Sequence, residues 1–284
     1  MPFTVPLADA ISAFPEYKFV RALTPSAQKA AFHVQDQDGN HLCLKIISPD
    51  YERDRLDREI LALQRLDHPN VARLREYTFS SKPNQQRHYM VEEFVDGVDL
   101  SQELQLPNRW PAKRAADFFA MLCDGLAALE SQSIVHRDIK PANIRVRPDG
   151  SPVIIDFGLA RHLNLPALTK TAHGAQIGTP MYFAPEQFDG THKDIDHRTD
   201  LFAVGILLYE ALTGERPFYK DNITWLELRN AVCDSNGHLV RAVFVGLDSK
   251  LKILITKLLD KERANRPVSA AQVAGILRKI GGLL

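Results

Sequence analysis

The 284-residue sequence predicts an α+β protein in two lobes, a small β-rich one with one helix and a larger helical one. Three observations carry this. Between Lys18 and Glu93, short β-prone runs alternate with turn signals, which is strand patterning. Beyond Pro111, apolar residues recur at helical spacing. Leu201–Leu212 is apolar almost all round, which marks a helix buried in a core.

Residues 1–17, with Pro2, Pro6 and Pro15, read as a loosely packed leader. Strands are expected over Lys18–Leu23, Ala31–Gln35 and His41–Ile47, with Asp38-Gly39 as the hairpin signal between the last two. An amphipathic helix follows, with Leu56, Ile60, Leu63 and Leu66 on one face, and it stops before His68-Pro69-Asn70. Two more strands, near Ala72–Phe79 and His88–Glu93, flank a polar loop and complete the small lobe and its connector over residues 18–97. Residues 98–284 form the larger lobe. There Phe118, Phe119, Leu122, Leu126 and Leu129 share a helix face, and further helices are expected near Ile223–Val232, Leu247–Leu259 and Ala270–Ile280.

Acidic and basic residues balance at 35 each, which argues against a nucleic-acid or membrane partner, since either calls for a basic face. The three cysteines are far apart and odd in number, a pattern of reduced thiols. The ten histidines show no metal-ligand clustering. Met1-Pro2-Phe3-Thr4 lacks the basic start of a signal peptide, and the apolar run Leu201–Leu212 is too short to span a bilayer. A cytoplasmic protein is expected.

His136-Arg137-Asp138-Ile139-Lys140-Pro141-Ala142-Asn143, followed by Asp156-Phe157-Gly158, gathers a carboxylate, an ammonium, an amide and a second carboxylate. Phosphoryl transfer from a magnesium-bound nucleotide needs that set: a proton acceptor, a cation for the migrating charge, and oxygen ligands for the metal. Gly178-Thr179-Pro180-Met181-Tyr182-Phe183-Ala184-Pro185-Glu186 lies downstream. In this order and spacing the motifs are specific, and the chain resembles a eukaryotic-type serine/threonine protein kinase of the bacterial kind from Lys18 to Ile280.

The resemblance implies the two-lobed protein-kinase fold, ATP and Mg2+ as cofactors, and a protein substrate with a serine or threonine acceptor. It makes Asp138 the catalytic base, Lys140 the γ-phosphate contact, and Asn143 and Asp156 the metal ligands. Lys45 matches the lysine of the third strand and Glu59 its helix-borne partner. Glu93, Val95 and Asp99 join Lys45, Asn143 and Asp156 in the implied nucleotide site. Thr179 matches a docking threonine, while Glu186, Arg266 and Asp200 match scaffold positions. Thr169 and Thr171 are the expected activation-segment phosphorylation sites, with Arg137 as phosphate partner and self-association for autophosphorylation.

Three features depart from the family. Thr24, Ser26 and Lys29 stand where phosphate-cradling glycines belong, leaving hydroxyls or Lys29 as phosphate contacts. Glu92 takes the usually apolar position beside the connector and needs a partner if buried. Arg145 replaces an apolar residue beneath the base; it either stacks on adenine or is neutralised by Glu92 or another acid. A pseudokinase that binds without turnover is the alternative, and a small-molecule kinase a further one.

Overall fold

The computed structural model describes residues 2–26, 29–48, 56–80, 87–105, 107–156, 179–188, 195–218, 223–234 and 246–283. The chain divides into two compact units, the first built on Met1–Val95 and the second beginning at Asp96. The α+β architecture is as expected: a β-rich first unit and a mainly helical second one. No helix among the described residues is long and apolar enough to cross a membrane.

The first unit is one antiparallel sheet of β1 (Lys18–Ala22), β2 (Lys29–Gln35), β3 (His41–Ile47), β4 (Leu74–Ser80) and β5 (Arg87–Glu93), in spatial order β1-β2-β3-β5-β4. The β2–β3 hairpin forms where Asp38-Gly39 placed it. Asp36 accepts from the amides of Asp38 and Asn40, and Gly39 takes φ 81°. The helix after β3, α2, runs Leu56–Arg65. Alternation along the strands sorts side chains onto two faces. Ala30, Phe32 and Val34 of β2, Leu42, Leu44 and Ile46 of β3 and Val91 of β5 form one buried cluster.

The leader belongs to that cluster, contrary to the loose packing expected of it. Leu7–Ala13 forms a helix, α1, whose Ala10 is fully buried on the sheet, and Phe14 meets Tyr89 edge-on at 4.8 Å. Phe3 N–H donates to the Ser26 carbonyl at 2.8 Å, tying the leader to the β1–β2 turn as well. Burying one aromatic side chain contributes roughly 1.5–3 kcal/mol, enough to hold a short helix that has little stability alone.

The second unit opens with β6 (Val98–Asp99), which pairs with β7 (Ile144–Val146), itself paired with β8 (Pro152–Ile154). Gly97 permits this: at φ 124° a Cβ there would stand 2.0 Å from the Val146 carbonyl oxygen. The helices are α3 (Leu100–Glu103), α4 (Ala112–Ser131), α5 (Arg198–Thr213), α6 (Trp225–Asp234), α7 (Ser249–Leu258) and α8 (Ala270–Gly281). Every residue of α5 from Thr199 to Thr213 is buried, so this helix is the axis of the unit. It ends at Gly214 in the left-handed conformation, against the Pro107 carbonyl.

Two acids on α5 and one beside it tie loops to this axis. Glu186 is the clearest case. Its carboxylate receives both terminal nitrogens of Arg266, at 2.8 and 2.9 Å, and the Thr199 hydroxyl at 2.6 Å. Arg266 spends its other donors on the carbonyls of Asp260, Arg198 and Lys261, and its guanidinium lies 4.8 Å from the Phe202 ring centre. Burial pushes the Glu186 carboxyl up, but the Arg266 and Thr199 bonds and the Arg266 charge outweigh it and leave it below the usual range. Arg266→Ala would strand this carboxylate and is expected to cost about 3–5 kcal/mol in urea unfolding. Arg266→Lys should also destabilise, because an ammonium has three donors where the site uses five.

Candidate active site

In the second unit the loop from His136 to Asn143 is held from below by Asp200, in the first turn of α5. The Asp200 carboxylate accepts the amides of His136 at 2.8 Å and Arg137 at 2.6 Å. Burial pushes the Asp200 carboxyl up, opposed by those two amide bonds and the Arg137 charge. His136 is fully buried. Its Nε2 donates to the Ile155 carbonyl at 3.1 Å, and its Nδ1 accepts the Asp138 amide at 3.3 Å, which sets the tautomer. Arg137 and Asp156 both have positive φ, 67° and 63°. Non-glycine residues hold this conformation at a cost of about 1–3 kcal/mol each, and only where the surroundings over-determine it.

Asp138, Lys140 and the metal-ligand candidate Asn143 converge on one carboxylate. Asp138 Oδ2 receives Lys140 Nζ at 2.7 Å and Asn143 Nδ2 at 2.9 Å, and the same Nδ2 donates to the Asp138 carbonyl at 2.8 Å. Asp138 Oδ1 has no hydrogen bond among the described residues, so a lone pair is left for an incoming hydroxyl. Asn143 commits its nitrogen to Asp138, which leaves Oδ1 as the atom it can offer a cation. Together with the Asp156 carboxylate this is an oxygen-only donor set, the kind that suits magnesium. Asn143 is set by its turn, Pro141–Asn143, where its carbonyl also accepts the Ile155 amide at 3.0 Å.

Arg145, directly opposite Asp99 in the β6–β7 pairing, donates to its carboxylate at 2.7 Å and also to the Gly97 carbonyl. The acid that neutralises Arg145 is therefore Asp99, a nucleotide-site candidate, and Glu92 is engaged elsewhere.

In the first unit, Lys45 Nζ contacts Glu92 Oε2 at 2.5 Å, with both residues buried. Cross-strand register explains the contact: Cys43 faces Glu92, so Lys45 is its diagonal neighbour on the same sheet face, opposite the face covered by α1. Glu93 accepts the Arg73 amide at 3.4 Å, and Val95 is buried. The β1–β2 turn, where glycines are missing, is closed by the Ser26 amide on the Lys29 carbonyl at 2.9 Å. The Lys29 amide donates to Ser26 Oγ at 3.1 Å, so that hydroxyl serves the turn. The side chains of Glu59 and Thr179, and all of Thr169 and Thr171, lie outside the described residues.

Sequence reasoning missed one acid. Glu210, in the last turn of α5, accepts the Tyr182 hydroxyl at 3.3 Å and Arg216 Nε at 3.2 Å, bracing the segment that follows Thr179. Burial pushes its carboxyl up to about 7, against the pull of Arg216 and Tyr182. An apolar helix carrying an acid in its final turn was the available signal.

The family model described as the protein kinase domain matches residues 29–275. The chain is similar to "Serine/threonine-protein kinase PknB" of Mycolicibacterium smegmatis, 31% identical over 248 residues, covering 84% of this chain and 38% of the relative. It is also similar to "Probable serine/threonine-protein kinase CPE1738" of Clostridium perfringens, 28% identical, covering 84% of this chain and 34% of that protein. "Serine/threonine-protein kinase PkaA" of Streptomyces coelicolor is 35% identical over 193 residues, covering 65% of this chain and 34% of the relative. The chain thus spans well under half the length of these relatives.

Two outcomes are expected. Replacing either member of the Lys45–Glu92 pair with methionine should destabilise by about 3–5 kcal/mol, whereas the double replacement should be at least as stable as the natural chain. A chemical-denaturation double-mutant cycle measures this. For Glu210, the folded state holds its proton to higher pH than the unfolded chain does. Its contribution to stability is therefore greatest below the ordinary carboxylate pKa of 4.5 and is lost as pH rises towards about 7. Glu210→Gln should flatten the pH dependence of stability between those limits, by roughly 3 kcal/mol for a shift of that size.

Proposed function

The chain belongs to the protein kinase family, and on that premise we propose that it transfers the γ-phosphoryl group of ATP to serine or threonine hydroxyls of proteins. Asp138 accepts the hydroxyl proton on Oδ1, while Lys140 and Asn143 fix the carboxylate by holding Oδ2. Asn143 and Asp156 are the residues that would hold magnesium, which when bound neutralises phosphate charge. Lys140 faces the transferred phosphoryl group and Lys45 the phosphates nearer the ribose. Glu93, Val95 and Asp99 complete the nucleotide site, Thr179 aligns the acceptor peptide against the loop, and Glu59 belongs to the Lys45 environment.

The observation that carries this reading is the shared carboxylate of Asp138, with one oxygen occupied and the other left for substrate, on a loop clamped by Asp200. The relatives are named as serine/threonine-protein kinases, which favours hydroxyl acceptors of that type. Regulation by phosphorylation at Thr169 or Thr171 fits the same scheme. Among the described residues, Arg137 Nε is buried without a hydrogen-bond partner, a donor for phosphate. Autophosphorylation would then require two copies to meet. A cytoplasmic site of action completes the reading.

Incubation with labelled ATP, magnesium and a serine-containing acceptor tests it. Asp138→Asn, which keeps the shape and removes the base, should lower kcat roughly 10²–10⁴-fold. Asp156→Ala should abolish transfer. Wild-type turnover in the Asp156 variant would contradict the reading, and a natural chain no more active than Asp138→Asn would leave a binding module instead.

A further inference from the structure

The kinase reading does not itself require the Lys45–Glu92 pair, because the resemblance assigns the Lys45 partner to Glu59 on the following helix. Resting on that reading, we propose that Glu92 is a positioning residue for Lys45, one that acts from within the sheet itself. The contact is 2.5 Å long, and the two residues are only 5% and 2% exposed. Met90, 1% exposed and directly opposite Lys45, and Cys43, directly opposite Glu92, wall the pair on the same face. With so little water, the ammonium has a strong reason to stay against this carboxylate.

What sets Glu92 apart is the support beneath it. Five consecutive pairings, Leu42 with Glu93 through Ile46 with Tyr89, join the two strands. A one-residue slip would send Lys45, and every other side chain of its strand, to the opposite face, so the register admits no small adjustment. Both partners also have a neighbouring strand on their outer side, β2 beyond β3 and β4 beyond β5. Where the lysine partner rides on a helix, control of that helix controls activity. A packed helix can shift by one or two ångströms, whereas a paired strand inside a sheet cannot do so without breaking its ladder. The Glu92 carboxylate is thus held in place by hydrogen-bonded backbone, and its position beside Lys45 is set when the sheet folds. The carboxylate at position 92 is then a working part of the nucleotide site, acting through Lys45.

Steady-state phosphoryl transfer with ATP, magnesium and a serine-containing acceptor peptide tests this on the full chain, comparing the natural sequence with Glu92→Gln, Glu92→Asp and Asp138→Asn. Glu92→Gln should lower kcat/KM for ATP by roughly tenfold or more, as expected for a misplaced catalytic group, with KM for the peptide moved less than about twofold. Glu92→Asp, which keeps the charge, should fall between the two. A purely structural role would lower kcat through the folded fraction and leave KM for ATP unmoved; that result overturns the proposal. So does unchanged or increased activity in Glu92→Gln, which would make Glu92 neutral or a restraint on Lys45. Should Glu92→Gln fail to fold, Glu92→Asp carries the test, with a loss in kcat/KM for ATP at constant peptide KM expected and no loss overturning it. If the natural chain is no more active than Asp138→Asn, the kinase reading falls, and this proposal with it. An active natural chain with an unaffected Glu92→Gln removes the proposal alone.

Discussion

The second unit depends on one carboxylate, that of Asp200, accepting two consecutive backbone amides. Those amides belong to a segment that no helix or strand stabilises, and one of them, Arg137, sits at positive φ. A loop held by water alone would relax from that conformation. Asp200 cannot follow it, because α5 is buried on every side from Thr199 to Thr213. The position of Asp138 is therefore inherited from the core through two hydrogen bonds. The phosphoryl transfer proposed for this loop, with Lys140 and Asn143 sharing one oxygen of Asp138, requires placement to well within about 1 Å. Flexible surface loops do not provide it.

The same logic recurs with other buried charges. Glu186 ties the segment after Ala184 to Arg266, and Glu210 ties Tyr182 to Arg216. Each acid is costly to bury, and each is matched by at least one donor from a distant part of the chain, Arg266 for Glu186 and Tyr182 for Glu210. Apolar packing alone would hold these loops with little preference for one geometry. Directional bonds to buried acids select one. The first unit does the equivalent with Lys45 and Glu92, where the cost of an ammonium inside a sheet is offset by a carboxylate that the register of the adjacent strand β5 brings beside it.

Much of the fold was legible in the residues. The five strands of the first unit lie within a few residues of their expected limits, because alternation and the Asp38-Gly39 turn act locally. The buried helix α5 was legible for the same reason. The helix α1 was not: it is seven residues long, follows Pro6 and has one fully buried residue, so it carries no periodic signal. The loop residues Asp138, Lys140 and Asn143 were legible as a motif, and the geometry adds which oxygen each one holds. Pairings were the harder part. Lys45 and Glu92 are separated by 47 positions and Asp99 and Arg145 by 46, so only strand register could join them. Sequence alone showed that Glu92 needs a partner if buried and offered Glu92 as one acid for Arg145; the strand register instead sets Glu92 against Lys45 and Asp99 against Arg145.

Native-state hydrogen exchange of the His136 and Arg137 amides measures most directly whether Asp200 transmits the order of the core to the loop. Amides accepted by a buried carboxylate exchange only when α5 itself opens, so both should be protected to the level of the α5 backbone, and Asp200→Ala should release both together while leaving α5 protected. Exchange of these two amides at the rate of an exposed loop in the natural chain would contradict a loop positioned from below, and the placement of Asp138 would need another cause.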